Sequence, residues 1–287
     1  MRQKHTLIAI VAVLSTCPLI AQMATWKPGD TLIYEHVTQT QISGGHLPPQ
    51  AYAPQPPATS SLRVTITSLD PDGTALTHVV IDRPFPEKEI ASKLGGGPLA
   101  AARNNVILSS SRKTWEEQNR YKEFDARLTP EGALLAAIDN TPQHTTEGMS
   151  PAQLRDQMVA EVQSPEYQAK LAANEFDGTF RLPNAVALSC GKRKSIAPGD
   201  FWRVTSKADG AAYDVTVSGK QSYRGRDVIV LDSKSHAEHP NISADTEATV
   251  YYDPQAHLIV GAHSVTNSDV QATGMKSTTT SDLNLKQ

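Results

Sequence analysis

The sequence is short of cysteine: two in 287 residues. One of them, Cys17, falls in an N-terminal apolar run, which leaves Cys190 without an intramolecular partner. A disulfide framework is therefore excluded, and stability has to come from a packed core. Charge of one sign is lacking too. The formal net charge is −3, and removing residues 1–21 takes away two bases and no acid, moving it to −5. Neither value suits a polyanion-binding surface, so nucleic acid is not an expected partner. No apolar run reaches the roughly 20 residues that a membrane-spanning helix needs, so no transmembrane segment is expected.

Motifs of known chemistry are equally scarce. There is no Gly-x-Ser-x-Gly elbow and no His-Glu-x-x-His. The Gly95-Gly96-Gly97-Pro98 run has neither the Lys-Ser/Thr of a phosphate loop nor the spacing of a dinucleotide fingerprint, so no cofactor is expected. Ser189-Cys190-Gly191-Lys192 has Ser-x-x-Lys spacing but none of the partner motifs that this chemistry requires. Lys192-Arg193-Lys194 beside Cys190 could activate a thiol, although a buried, inert cysteine is the simpler reading. His236 and His239, with Asp245 nearby, are close enough in sequence to share a metal on a helix, but Pro240 and polar neighbours predict a solvated loop and no metal site.

Positive signals begin at the N-terminus. Arg2 and Lys4 precede the apolar run Leu7–Leu14, and Pro18 breaks it ahead of Leu19-Ile20-Ala21. Residues 1–21 therefore read as a secretory signal peptide cleaved after Ala21, and the protein as secreted or periplasmic. The alternative is a membrane-anchored lipoprotein: Leu14-Ser15-Thr16-Cys17 resembles a lipobox with Cys17 as the acylated residue, although Thr16 is bulky for its position and Pro18 follows directly.

Most of the remaining chain alternates with period two between turn residues, which predicts antiparallel strands buried on one face. Leu62, Val64 and Ile66 alternate with Arg63, Thr65 and Thr67, and Asp70-Pro71-Asp72-Gly73 turns the chain into a return strand at Ala75–Ile81. Residues 43–58, with their Pro-rich tract Pro48–Pro57, read as a surface loop, residues 84–118 as irregular with at most one short helix, and Tyr121–Asp139 as a second hairpin turning at Thr129-Pro130-Glu131-Gly132. Ser150-Pro151-Ala152-Gln153 is a capping box with proline at the first helical position. It opens a helical region with a stripe at Leu154, Met158, Val162 and Leu171 and a stop at Asp177-Gly178. This stripe either completes the core or forms a lid over a cavity. Past Pro198 come Tyr213–Ser218, Val228–Leu231 and a hairpin turning at Asp253-Pro254-Gln255-Ala256.

The fold class is thus mainly β with a helical segment, α+β. Residues 22–149 form an N-terminal β half with Pro-rich and Gly-rich loops, 150–178 a helical bridge and 179–287 a C-terminal β half. The halves echo one another: Lys27-Pro28-Gly29-Asp30 matches Ala197-Pro198-Gly199-Asp200, a candidate duplication. Leu182-Pro183, Pro198-Gly199-Asp200-Phe201-Trp202, Val228–Leu231 and Val250-Tyr251-Tyr252-Asp253-Pro254 resemble a group of exported bacterial proteins. Their β-meanders build a curved sheet similar to the half-barrel of lipoprotein-carrier proteins. That resemblance covers mainly residues 180–267 and implies an apolar concave face that holds an acyl chain or other lipid, with no catalytic residues.

The expectation is an exported, non-enzymatic protein that binds an apolar small molecule or lipid on a curved antiparallel sheet. Its candidate lining is Tyr213, Val215, Val217, Val228, Val230, Val250 and Tyr252. An envelope structural or interaction module and a secreted hydrolase without a recognisable motif stay open as alternatives. Cleavage after Ala21 predicts a mature chain beginning at or near Gln22 in intact-mass spectrometry of the exported protein. A mass corresponding to a diacylated Cys17 would overturn this and establish the lipoprotein.

Overall fold

A computed structural model describes residues 26–45, 52, 56–94, 98–118, 120–129, 134–137, 149–191, 193, 195–205, 212–239 and 241–286. The leader, Cys17, most of the Pro-rich loop, the triple glycine, the Pro130–Gly132 turn and the Asp209-Gly210 turn lie outside the described residues. The chain is mostly β, built on one open antiparallel sheet of eleven strands. The first five are β1 Thr31–Gly44, β2 Ala58–Leu69, β3 Ala75–Asp82, β4 Tyr121–Leu128 and β5 Leu134–Ala137. The other six are β6 Phe201–Thr205, β7 Ala212–Tyr223, β8 Arg226–His239, β9 Ile242–Asp253, β10 Leu258–Val270 and β11 Met275–Leu285. Among the described residues there are also four helices: α1 Glu87–Lys93, α2 Pro98–Gln118, α3 Pro151–Gln163 and α4 Pro165–Gly191. The strand order is β5-β4-β3-β2-β1-β11-β10-β9-β8-β7-β6, so two meanders are joined where β1 pairs with β11.

Period-two alternation fixes which face is buried. In β3 it is Ala75, Thr77, Val79 and Ile81, and in β4 Lys122, Phe124, Ala126 and Leu128. A buried lysine needs a partner, and Lys122 donates to Gln168 Oε1 on α4. The β2–β3 turn is as expected. Gly73 N–H donates to Asp70 O at 2.9 Å, Asp70 N–H to Thr74 O at 2.8 Å, and Gly73 has φ +82°. The N–H of Thr74 donates to Asp72 Oδ1 and holds that carboxyl below its ordinary pKa.

The two Pro-Gly-Asp segments make the same corner. Gly29 N–H donates to Ile66 O at 2.8 Å and Ile66 N–H to Asp30 O at 2.9 Å, while Asp30 Oδ2 accepts from Lys27 N–H at 2.8 Å. At the second corner Gly199 N–H donates to Val217 O at 2.8 Å, Val217 N–H to Asp200 O at 2.9 Å, and Asp200 Oδ2 accepts from Ala197 N–H at 2.8 Å. Both glycines have positive φ, +94° and +89°. A β-bulge follows each contacted residue, at Ile66/Ser68 and at Val217/Gly219, and a bulge bends and twists its strand.

Helix α4 lies on the inner face of the sheet, from β4 and β5 near one edge to β6 at the other. It buries Ala172, Ala173, Phe176, Phe180, Val186, Ala187 and Cys190. Phe176 and Phe180 stack at 4.7 Å between ring centroids, Phe176 meets Phe124 edge-on at 5.8 Å, and Phe180 meets Tyr34 at 5.0 Å. At its far end Trp202 Nε1 donates to Ser189 Oγ at 2.7 Å, and the Arg193 guanidinium sits 4.1 Å over the Trp202 ring.

Three sequence expectations are corrected here. Residues 84–118 are largely helical, as α1 and α2. The helix does not stop at Asp177-Gly178 but runs on through Pro183 to Gly191. Glycine costs a helix about 1 kcal/mol and proline about 3, and burial of the Phe180, Val186, Ala187 and Cys190 face offsets both. The buried face of the helical region is also not the expected stripe, since Val162 and Leu171 are exposed. The side chains of Leu154 and Met158 lie outside the described ones. The capping box is formed as expected, with Ser150 Oγ accepting from Gln153 N–H and Gln153 Oε1 accepting from Ser150 N–H at 2.9 Å.

Two expected outcomes follow. Gly73→Val forces a β-branched residue into positive φ and should cost roughly 1–2 kcal/mol in a urea melt; an unchanged midpoint would mean the turn is not under this constraint. Burial pushes the Cys190 thiol up to about 12, well against the opposing pull of Arg193. Native protein at pH 8 should therefore resist iodoacetamide and react only once unfolded. Rapid native alkylation would show an accessible thiolate.

Candidate functional site

The lining expected from the sequence divides between two faces. Tyr213, Val215, Val217, Val250 and Tyr252 stand on the inner face and belong to the core cluster that also contains α4 and Trp202. Val215 and Val250 are 0% exposed. Val228 and Val230 stand on the outer face, because Ile229 and Leu231 take the inner positions, opposite Tyr252 and Val250. Val228 is buried there, beside a shallow pocket of about 420 Å³ with Lys220, Asp227 and Pro254, whereas Val230 is half-buried.

Beyond the core, the inner face changes chemistry. Register places Thr40, Thr279, Thr266, Thr246 and Ser235 side by side across β1, β11, β10, β9 and β8. The row nearer the core reads Thr38, Ser281, Ser264, Ala248 and Ser233. Neighbouring hydroxyls bond one another, Thr40 with Thr279 at 3.0 Å and Thr246 with Thr266 at 3.0 Å. Small hydroxyl side chains of this kind supply little apolar area, so among the described residues these rows of the inner face are polar where the rows under α4 are closed core.

An apolar-walled space does exist, on the N-terminal half. A groove of about 800 Å³ opens over β1 and β2 between α4 and the α1–α2 pair. Its floor includes His36, Thr38 and Ser60 from the sheet. Its walls are Pro57, Pro84, Phe85, Pro86 and Trp115, and Arg83 and Glu175 lie at its α4 side. The walls are held by bonds among themselves. Trp115 Nε1 donates to Arg83 O at 2.9 Å, and its ring meets Phe85 edge-on at 6.3 Å. Arg83 Nε donates to Glu175 Oε1 at 3.1 Å, with a second bond from its NH2 group to the other carboxylate oxygen. Arg112 pairs with Glu87 and lies over Phe85 at 5.5 Å. His36 Nε2 lies 2.8 Å from Ser281 Oγ, and burial holds its imidazole below its ordinary pKa, against a smaller opposing pull from Asp282. A volume of this size with mostly apolar walls and a few placed polar groups is typical of ligand sites. Its residues span positions 36 to 175, and nothing in their sequence spacing announces that they meet.

A second groove, of about 740 Å³, lies between edge strand β5 and α4. It is lined by Leu134, Leu135, Ala169 and Ala173 together with His78, Glu123, Asp125, Glu166, Lys170 and Asp177, which makes it the more charged of the two. Other candidate chemistry disperses. The segment holding His236 and His239 is part of strand β8 rather than a loop, and His236 Nδ1 sits 2.7 Å from Asp245 Oδ1 directly across on β9. Among the described residues no group of three or more His, Cys, Asp or Glu could hold a metal. No described helix is long and apolar enough to cross a membrane.

No family model matches this chain, and no curated protein does. Among solved structures, it is similar to an exported protein with a YmcC-like fold from Bacteroides fragilis, at a TM-score of 0.31 and 11% identity, over 92% of this chain and 100% of the other.

Proposed function

We propose that this is an exported, non-enzymatic protein that binds an apolar or amphipathic ligand in the groove between α4 and the α1–α2 pair. The observation that carries this reading is the groove itself: about 800 Å³ of space, walled by Phe85, Trp115 and prolines. Tyr213, Val215, Val217, Val250 and Tyr252 from the expected C-terminal lining are packed into the core, so this reading puts the ligand on the N-terminal half. Export rests on the charged n-region, apolar core and Ala21 of the leader. The half-barrel likeness and the duplication belong to the same reading. The paired Pro-Gly-Asp corners and their matching bulges support descent of both meanders from one repeat. A partner-binding module is the second reading, favoured by Val159, Val162 and Leu171, exposed on α3 and α4, with α3 packing mainly on α4.

The test is titration with N-phenyl-1-naphthylamine, a neutral probe that fluoresces in apolar sites. Saturable binding is expected, about tenfold weaker in Trp115→Ala, the equivalent of about 1.4 kcal/mol. Trp115→Phe, which keeps an aromatic wall, should retain most of it. Because Trp115 also anchors α2, circular dichroism melts of each variant accompany the titration. Saturable binding unaffected in a folded Trp115→Ala would place the ligand elsewhere, and no saturable binding by the wild type would leave the partner-module reading.

A further inference from the structure

We infer that the ligand of this groove is an anionic amphiphile whose charged head is held by Lys88 and whose chain lies against Trp115 and Phe85. The inference deepens the binding reading above and rests on it. Among the described residues five charged side chains bear on the site: Arg83, Glu87, Lys88, Glu175 and, over Phe85, Arg112. Both acids are taken, Glu175 by Arg83 and Glu87 by Arg112. Trp115 Nε1 is satisfied by Arg83 O, and His36 by Ser281. What remains is apolar wall, the hydroxyls of Thr38 and Ser60 on the floor, and the ammonium of Lys88 at the exposed rim, the one groove charge without an ion-pair partner among the described residues.

The remainder selects by chemistry. A polyol would need paired donors and acceptors along its length, and the walls have used theirs on one another. A cationic amphiphile would meet a like charge at the rim. A carboxylate or a phosphate ester accepts hydrogen bonds only, and here ammonium and hydroxyl groups can all donate. An apolar chain then covers the aromatic and proline walls, where displacing water is the favourable term. An inorganic anion alone would meet only an exposed lysine, an interaction worth little in water.

The experiment is displacement of bound N-phenyl-1-naphthylamine from the full mature chain at pH 8, below the aggregation concentration of each competitor. Dodecanoate, dodecyl phosphate, dodecanol and dodecyltrimethylammonium share one chain length and differ in the head. The two anions should displace the probe at about fivefold lower concentration than the alcohol, and the cation should be weakest. Whichever anion is tighter identifies carboxylate or phosphate as the natural head. Acetate and inorganic phosphate should displace nothing. Lys88→Gln should erase the preference for anions and Lys88→Glu should reverse it, each read as the ratio of anion to dodecanol displacement within one variant whose circular dichroism melt shows it folded. Equal displacement by acid and alcohol, or a preference for anions that survives Lys88→Glu, would overturn the inference and leave the groove as a binding site. If the wild type fails to bind the probe, the binding reading falls, and the inference falls with it.

Discussion

The pairing of β1 with β11 is the constraint on which the rest of the molecule depends. Every other neighbour in the sheet is also a neighbour in sequence, so nine of the ten pairings join strands consecutive in the chain. The β1–β11 ladder instead joins residues such as Tyr34 and Leu285, or His36 and Leu283. Closing a loop that long costs on the order of 5 kcal/mol of chain entropy. The offset comes from burial: Tyr34, Leu283 and Leu285 are all in the core cluster. Without this ladder the two meanders would be separate ribbons, each with an extra open edge. With it, one continuous inner face forms, and α4 can lie across it from β4 and β5 to β6. The remaining edges, β5 and β6, are short, a common way of limiting unwanted strand addition.

That single inner face is not uniform. Where α4 crosses, the strands present Tyr, Leu, Val and Phe, and Phe176 and Phe180 fill the space between helix and sheet. Farther along β8 to β11 and β1 the same face presents threonine, serine and alanine; threonine favours strand geometry, and the small side chains leave little apolar surface to cover. The outer face carries opposed charges instead, for example Lys234 with Glu247 and Arg203 with Asp214. Exposed pairs of this kind are worth about 1 kcal/mol or less, so their main effect is to favour one register and keep this face in water. The groove beside α1 and α2 lies at the junction of these regimes. His36 stands between core residue Tyr34 and hydroxyl residue Thr38 along β1.

Local signals were legible and long-range ones were not. Asp70-Pro71-Asp72-Gly73 and Ser150-Pro151-Ala152-Gln153 each specify a structure within a few residues, and both form as read. The Pro-Gly-Asp echo was also visible, because each corner is a local hydrogen-bonded device. The face of β8 was not: Val228-Ile229-Val230-Leu231 is apolar throughout, so alternation cannot say which pair points inward. Only the partners, Val217 and Val250 opposite Leu231, settle it. Helix α4 was cut short because Gly178 and Pro183 are breakers in isolation, and the aromatic packing that outweighs them comes from β1 and β4. Helix α2 has no clear apolar stripe, so periodicity could not find it. The groove combines both difficulties, with a wall made by an unforeseen helix and a floor made by strands far away in sequence.

Trp115 connects this architecture to the proposed binding. Among the described residues helix α2 packs mainly against α1, and Trp115 ties it to the segment after β3 through its bond to Arg83 O and its ring contact with Phe85. Few buried contacts and a solvated outer surface place such an element at the low end of the local stability scale. The wall of the groove is therefore its least firmly held part, whereas the floor belongs to the sheet and the α4 side to the core. A ligand chain lying on Trp115 would add apolar contact where the structure has least of it. Binding and the ordering of α2 are then coupled in the same direction, since whatever binds the docked helix stabilises docking by mass action. On the proposed binding reading, the sheet would fix where a ligand lies and the lightly held helix would give it a way in.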